Sequence, residues 1–297
     1  MIHVHLFSRL LTINRKALQI PTVAKVQKLY DNYIADVSVN EQVTSPEIQE
    51  ENDLLDAFLK TSVMKYTNQF LIQKRLVASG QKAFRNLLHE LWFTLYSRGN
   101  RKVGSSAFEH VFLGELKRGE VSGMHNWIYF SHEESLKHAN YMGWIKKLDF
   151  GTVPNTYTTC VKVPNTSTTC VKVPNTYTTC VKVPNTSTTC VKVPNTSTTC
   201  GKVPNTSTTC GKVPNTSTTC KGSILKLQHK WEGVIKPVGS MFVGTSPELE
   251  MALYTVCFLT RPNERCRLSM ANKVFHIKTF TFNYRGKSLI GSAFPEI

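Results

Sequence analysis

The sequence has no uninterrupted apolar run approaching the ~18–20 residues that a membrane-spanning helix requires, which excludes such a helix from the reading. It is short of carboxylates, with 20 Asp+Glu against 36 Lys+Arg and a formal net charge of +16. That balance excludes an acidic, solvating, disordered chain and points to a polyanionic partner such as nucleic acid or an anionic membrane face. The first twenty residues, MIHVHLFSRLLTINRKALQI, lack a continuous apolar core and a small-residue cleavage site, so no secretory signal is evident. The default expectation is an intracellular protein, or a secreted one if the true start lies upstream. Cysteine is also scarce where it would matter. Seven of the nine cysteines belong to a repeat, and the two others, Cys257 and Cys266, are too few for a disulfide scaffold. They are compatible with a reducing compartment or with a single bridge.

The repeat runs from Gly151 to Cys220 as seven copies of a ten-residue unit of the form KVPNT(S/Y)TTC(V/G). It contributes six lysines and no carboxylate, and without it the other 227 residues still carry a net +10. A proline in every copy fixes φ and removes a ladder donor, which predicts an extended, disordered surface loop. The alternative is a small β-solenoid with TSTTC as one strand per coil and the cysteines stacked in register. A cysteine ladder at this spacing does not suit a structural zinc site, whose paired ligands sit about two to four residues apart. In a secreted protein, Asn165, Asn185, Asn195, Asn205 and Asn215 would be glycosylation sequons.

On either side of the repeat the periodicity differs. Thr44-Ser45-Pro46-Glu47 reads as a helix start, with a hydroxyl cap, proline in the first turn and carboxylates near the positive helix end. The stripe Phe84, Leu87, Leu88, Leu91, Trp92, Leu95 and Tyr96 predicts a helix over Gln81–Ser97 that Gly99-Asn100 stops. From Phe108 the period shortens, and FEHVFLGEL and NWIYF read as strands or a hairpin. Ile224–Trp231 alternates, Ser246-Pro247-Glu248 opens another helix, and Val274–Tyr284, a turn at Arg285-Gly286 and Ser288–Phe294 close the chain as strands. The expected class is α+β: a helical N-terminal part followed by a mainly antiparallel β region, interrupted by the repeat in a loop. Four parts follow: an atypical N-terminal segment 1–28, one domain in two pieces, 29–150 and 221–297, and the repeat 151–220.

His110 and His125 lie in short segments beside small residues, SSAFEH and GMHNW. Two imidazoles suit a reaction that removes one proton and delivers another at neutral pH. RNA cleavage by internal attack needs such a pair, and a cation for the charge that builds on the phosphorus oxygens; Lys236 is a candidate for it. From spacing alone any two of the nine histidines would serve.

The wording of these segments is more specific. FEHVFLGE, GMHNWIYF, KPVGSMFVGTSPELEMALYTVCFL and IGSAFP, in that order, resemble the EndoU family of poly(U)-specific endoribonucleases. The resemblance begins near LYDNY at Leu29 and runs to Phe294 across the repeat. It implies an α+β catalytic fold and cleavage of single-stranded RNA at uridines, leaving 2′,3′-cyclic phosphate ends, with manganese stimulating many members. By position, His110 and His125 match the family's catalytic histidines, with His125 taken as base and His110 as acid, and Lys236 matches its catalytic lysine. Ser240 matches a position at the uracil edge, and Glu109 and Glu115 match carboxylates that matter for activity, by orienting the histidines or by holding manganese. Thr245 and Ser246 open a helix whose N-terminus is a candidate phosphate site. Phe294 stands where the family usually has tyrosine, so stacking on a base or ribose survives while a hydroxyl is lost. Ala107 replaces a usual glycine, harmless unless its φ is positive.

The remaining residues read as structural. His132, His138, His229 and His276 are expected at the surface or satisfied, the tryptophans Trp92, Trp127, Trp144 and Trp231 in the core, and Cys257 as a small buried hydrophobe. The chain is expected to be monomeric. Competing readings are a weakened RNA-binding pseudoenzyme of the same fold and a secreted structural protein whose repeat is the functional part.

Overall fold

A computed structural model describes residues 9–98, 101–154 and 219–297, and within the repeat residues 157–159, 169–170, 177–179 and 189–190. The chain divides into two compact units, residues 1–149 with 222–297, and residues 150–221.

The first unit begins with helices α1 (Arg15–Leu18), α2 (Pro21–Lys28), α3 (Ser45–Leu59), α4 (Ser62–Gln73) and α5 (Gln81–Phe93). α3 starts where its sequence specifies. Thr44 accepts from the Glu47 backbone N–H, and the Glu47 carboxylate accepts from the Thr44 N–H at 2.7 Å, a reciprocal capping box. Its inner face buries Leu54, Leu55 and Phe58 completely, each stabilising the fold by about 1.5–3 kcal/mol. α5 is shorter than its apolar stripe. Thr94 leaves the helix with ψ near 121°, and the Tyr96 N–H donates instead to the Ser105 carbonyl at 2.8 Å. Tyr96 then stacks on Phe282 and donates its hydroxyl to the Ile290 carbonyl, so tertiary pairing overrides the helical period there. Gly99-Asn100 lie outside the described residues.

Next come a π-helical turn (Glu109–Leu113), the hairpin β1 (Glu115–Lys117) and β2 (Glu120–Ser122), and α6 (Trp127–Leu136). Of FEHVFLGEL, expected as a strand, residues 108–113 are therefore helical and only Glu115-Leu116 enters the hairpin, while NWIYF opens α6. All five residues of the π-turn are buried, so their alternation marks no exposed face and carries no strand information. α6 is set by Asn126, whose side chain accepts from the Ile128 and Tyr129 N–H groups, each at 3.1 Å.

The chain then runs through β3 (Ala139–Pro154) into the repeat. There β4 (Tyr157–Thr159), β5 (Thr169–Cys170), β6 (Tyr177–Thr179) and β7 (Thr189–Cys190) pair parallel and in register, β4 with β6 and β5 with β7. Partners stand twenty residues apart, two decapeptides rather than the single one of the solenoid alternative. The expected disorder of the remaining repeat lies outside the described residues.

β8 (Thr219–Trp231) and β9 (Val234–Val243) follow, in the sheet order β3-β8-β9, with β8 and β9 antiparallel. After α7 (Pro247–Thr260), the strands β10 (Arg265–Met270), β11 (Lys273–Tyr284) and β12 (Lys287–Glu296) form an antiparallel meander. α7 packs against α4 on one side and β11 on the other, and Trp92 of α5 donates to the Thr255 hydroxyl on α7 at 2.9 Å. The class is α+β, with helices first and antiparallel strands after. Among the described residues, no helix is long and apolar enough to cross a membrane.

Three residues depart from their expected environments. Cys257 is buried but disulfide-bonded to Cys266, tying α7 to β10. Trp144 on β3 is 63% exposed rather than core. His229, on the inner face of β8, is fully buried, and neither ring nitrogen has a hydrogen-bond partner among the described residues.

Candidate active site

The two histidines come together because the end of the β1–β2 hairpin docks on the π-turn. Met124 N–H donates to the His110 carbonyl at 2.9 Å and His125 N–H to the Val111 carbonyl at 2.8 Å. Gly123 makes the approach possible. Its φ is +72°, and a Cβ there would stand 1.7 Å from the His110 carbonyl oxygen, so no other residue fits. The rings lie 6.4 Å apart between centroids. Ala107, by contrast, does not adopt a positive φ, so an alanine there carries no backbone strain.

His110 rests on a charged floor. Its Nδ1 faces Glu115 Oε2 at 2.6 Å, and its Nε2 meets the Ser292 hydroxyl at 3.1 Å. Glu115 is held in turn by the Arg98 guanidinium at 3.0 Å and by the Ser105 hydroxyl. Arg98 also donates to the Gly291 carbonyl at 2.6 Å, joining the exit of α5 to β12. Burial alone would raise the Glu115 carboxyl, but His110, Arg98 and Ser105 outweigh it and hold it below the usual range. Burial, reinforced by Arg98, lowers His110 to about 4 against the opposing pull of Glu115.

His125 sits in different company. Its Nδ1 is 2.7 Å from the Ser240 carbonyl, which can only accept, so the neutral ring carries its proton on Nδ1 and presents a free lone pair at Nε2. Phe294 stacks on the ring at 5.0 Å and 28°. Burial and the nearby positive charge of Lys236 hold His125 well below the usual histidine range. Lys236 on β9 donates its Nζ to the Gly123 carbonyl, and burial lowers it to about 8 while Glu115 pulls the other way. His229, cross-strand from Lys236, is driven down to about 3 by burial and then by Lys236.

His110, His125, Lys236, Ser240 and Phe294 all line one cleft of about 560 Å³, together with Arg98, Lys226, Phe280 and Ser292. The Ser240 hydroxyl donates to the Pro295 carbonyl at 2.7 Å, which leaves its lone pairs able to accept. Three expected residues do not line the cleft: Glu115, which lies beneath His110, Thr245 and Glu109. Thr245 donates its hydroxyl to Glu250, which also accepts from Asn126 at 3.1 Å, so Thr245 and Glu250 lock the start of α7 to the residue after His125. Glu109 is 1% exposed with neither carboxylate oxygen bonded among the described residues, and burial, then Glu115 and Glu41, raise it well above the usual carboxyl range. Arg98, Ser292 and Glu250 escaped the sequence reading. Two of them stand in the segments LWFTLYSR and IGSAFP that carried the resemblance, but their roles rest on partners outside those segments, Glu115 for Arg98 and His110 for Ser292.

The cleft does not offer a manganese ligand set. Glu115 is engaged by His110, Arg98 and Ser105, Glu109 does not line the cleft, and no three metal-donor side chains converge there among the described residues.

The family description "Endoribonuclease XendoU" matches residues 5–182 and 212–295. The uridylate-specific endoribonuclease EndoU of Drosophila melanogaster is 31% identical over 93% of this chain and 65% of its own length. A poly(U)-specific endoribonuclease-B of Xenopus laevis is 31% identical over 93% of this chain and 72% of its own, and the human uridylate-specific endoribonuclease is 29% identical over 95% and 53%. The chain thus spans between about half and three quarters of these relatives. A solved structure of XendoU, described as a splicing-independent snoRNA-processing endoribonuclease, matches with a TM-score of 0.59 at 28% identity, covering 97% of this chain and 82% of that one. With its paired histidines and lysine in one cleft, this chain belongs to the XendoU endoribonuclease family.

Proposed function

We propose that the chain cleaves single-stranded RNA at uridines by attack of the 2′-hydroxyl on the adjacent phosphorus, leaving a 2′,3′-cyclic phosphate and a free 5′-hydroxyl. The observation that carries the reading is the pair of imidazoles flanking one cleft, each with Nδ1 fixed by a hydrogen-bond acceptor and Nε2 turned to other work. His125, backed by a carbonyl and repelled by Lys236, is suited to remain neutral and take the 2′-OH proton at Nε2. His110, backed by Glu115, is the better holder of a positive charge and delivers its proton to the departing 5′-oxygen. The 2′-O–P bond forms, the P–O5′ bond breaks, and the two histidines exchange protonation states. In this reading the Lys236 ammonium, in the same cleft, offsets the negative charge that grows on the phosphorus oxygens.

Base choice follows from similar arguments. The Ser240 hydroxyl, having given its proton to Pro295, accepts from the uracil N3–H; cytosine presents an acceptor at that position and is disfavoured. Phe294 offers a face for base stacking. Manganese enters as a stimulating cofactor, and no proton transfer above requires it to sit in the cleft.

The test is cleavage of a fluorescent oligonucleotide containing a single uridine, with and without Mn²⁺, beside His125→Ala. The expected result is cutting at the uridine with a cyclic-phosphate product, faster with Mn²⁺ and lost in the variant. RNA binding without turnover in either protein would overturn the reading in favour of a binding module.

A further inference from the structure

The donor set missing from the cleft is present elsewhere. Glu133 in the last turn of α6, His138 just beyond that helix and Glu232 in the β8–β9 turn offer three ligand atoms, all within 4.8 Å of one another. His138 Nδ1 lies 3.3 Å from Glu133 Oε2 and 3.5 Å from Glu232 Oε1, so one imidazole and two carboxylates face a common point. Their backbone is fixed: His138 N–H donates to the Glu133 carbonyl and Glu232 N–H to the His138 carbonyl, both at 3.0 Å. Outside the trio, the Trp231 indole donates to Glu133 Oε2 at 2.8 Å, the orienting contact that metal-binding carboxylates characteristically receive. Glu133 is only 5% exposed. In a chain with 36 lysines and arginines, neither Glu133 nor Glu232 pairs with one among the described residues. A buried carboxylate is costly without a full positive charge beside it, and histidine supplies one only when protonated.

We infer that Glu133, His138 and Glu232 form a binding site for one divalent transition-type cation, with water completing its coordination. Mixed nitrogen and oxygen donors select Mn²⁺ or Zn²⁺ over Mg²⁺, which prefers oxygen alone. The site also has a use. α6 begins two residues after His125, and the β8–β9 turn lies four residues before Lys236. A cation here clasps the far end of α6 to that turn, about 12 Å along the helix from the catalytic segment. It therefore acts as a brace on the elements that carry the proposed base and cation, and its role in turnover rests on the function proposed above.

Binding is testable without RNA. Titration of the full chain with Mn²⁺, followed by the loss of the free-ion electron paramagnetic resonance signal, should show one bound ion that equimolar Mg²⁺ does not displace. His138→Ala and Glu232→Gln, both at exposed positions, should each weaken binding at least tenfold while leaving the circular dichroism spectrum unchanged. Mn²⁺ should raise the melting temperature of the parent chain and not that of either variant. Undiminished affinity in both variants, equal competition by Mg²⁺, or no ion bound by the parent chain would overturn the inference. None of these readouts depends on whether the chain cleaves RNA.

Discussion

The two histidines face one cleft from opposite kinds of ground. Under His110 lies a compensated ionic layer in which Glu115 is gripped by Arg98 and Ser105. Around His125 there is a carbonyl, a phenyl face and a lysine, and no carboxylate bonds the ring. The ring types are identical and burial lowers both, so the difference lies in what opposes it: Glu115 favours the protonated ring at His110, and no carboxylate does so at His125. In the proposed reading, this difference gives His125 the role of base and His110 that of acid, which spacing in the sequence leaves open.

The largest way to break this contrast is His125→Ala, which removes the base. Turnover should fall by about 10²–10⁴-fold, with RNA affinity measured by anisotropy nearly unchanged. Lys236→Ala should cost about 10²–10³-fold in kcat. The same residue sets a pH limit. Because burial lowers its pKa to about 8, the cation is lost as pH rises through that value, and kcat/KM should fall there rather than near the usual lysine range. Lys236→Arg, which stays charged, should move that alkaline limb upward.

Glu115→Gln sharpens the contrast by making the floor under His110 resemble the surroundings of His125. Each pH unit of lost proton affinity at His110 is about tenfold less acid at neutral pH, so kcat should drop roughly tenfold or more and recover partly as pH is lowered. The smallest effect is expected at Phe294. Base stacking contributes about 1–3 kcal/mol, so Phe294→Leu should raise KM roughly tenfold, with a lesser change in kcat from the lost contact with His125.

What the sequence disclosed follows the range of the forces involved. The capping box at Thr44 and Glu47, the helix opening at Ser246-Pro247 and the closing hairpin at Arg285-Gly286 are local, and each stands where its residues specify. The π-turn and α6 depart from the strands that their alternation predicts because both are largely buried, so hydrophobicity has no single face to reveal there. Of the candidate residues, His110, His125, Lys236, Ser240 and Phe294 reach the cleft, Glu115 supports His110 from below, and Thr245 and Glu109 are buried outside its lining. Arg98, Ser292 and Glu250 were invisible for a simpler reason. Their partners are chosen by tertiary folding, which no local period encodes.

The division of labour between the histidines can be tested with a substrate whose 5′-bridging oxygen at the cleaved phosphate is replaced by sulfur. A thiolate leaves without needing a proton, so this substrate bypasses the acid and still requires the base. The account predicts that His110→Ala regains most of its lost rate on the sulfur substrate and that His125→Ala does not. Rescue of His125→Ala with His110→Ala left inactive would contradict it.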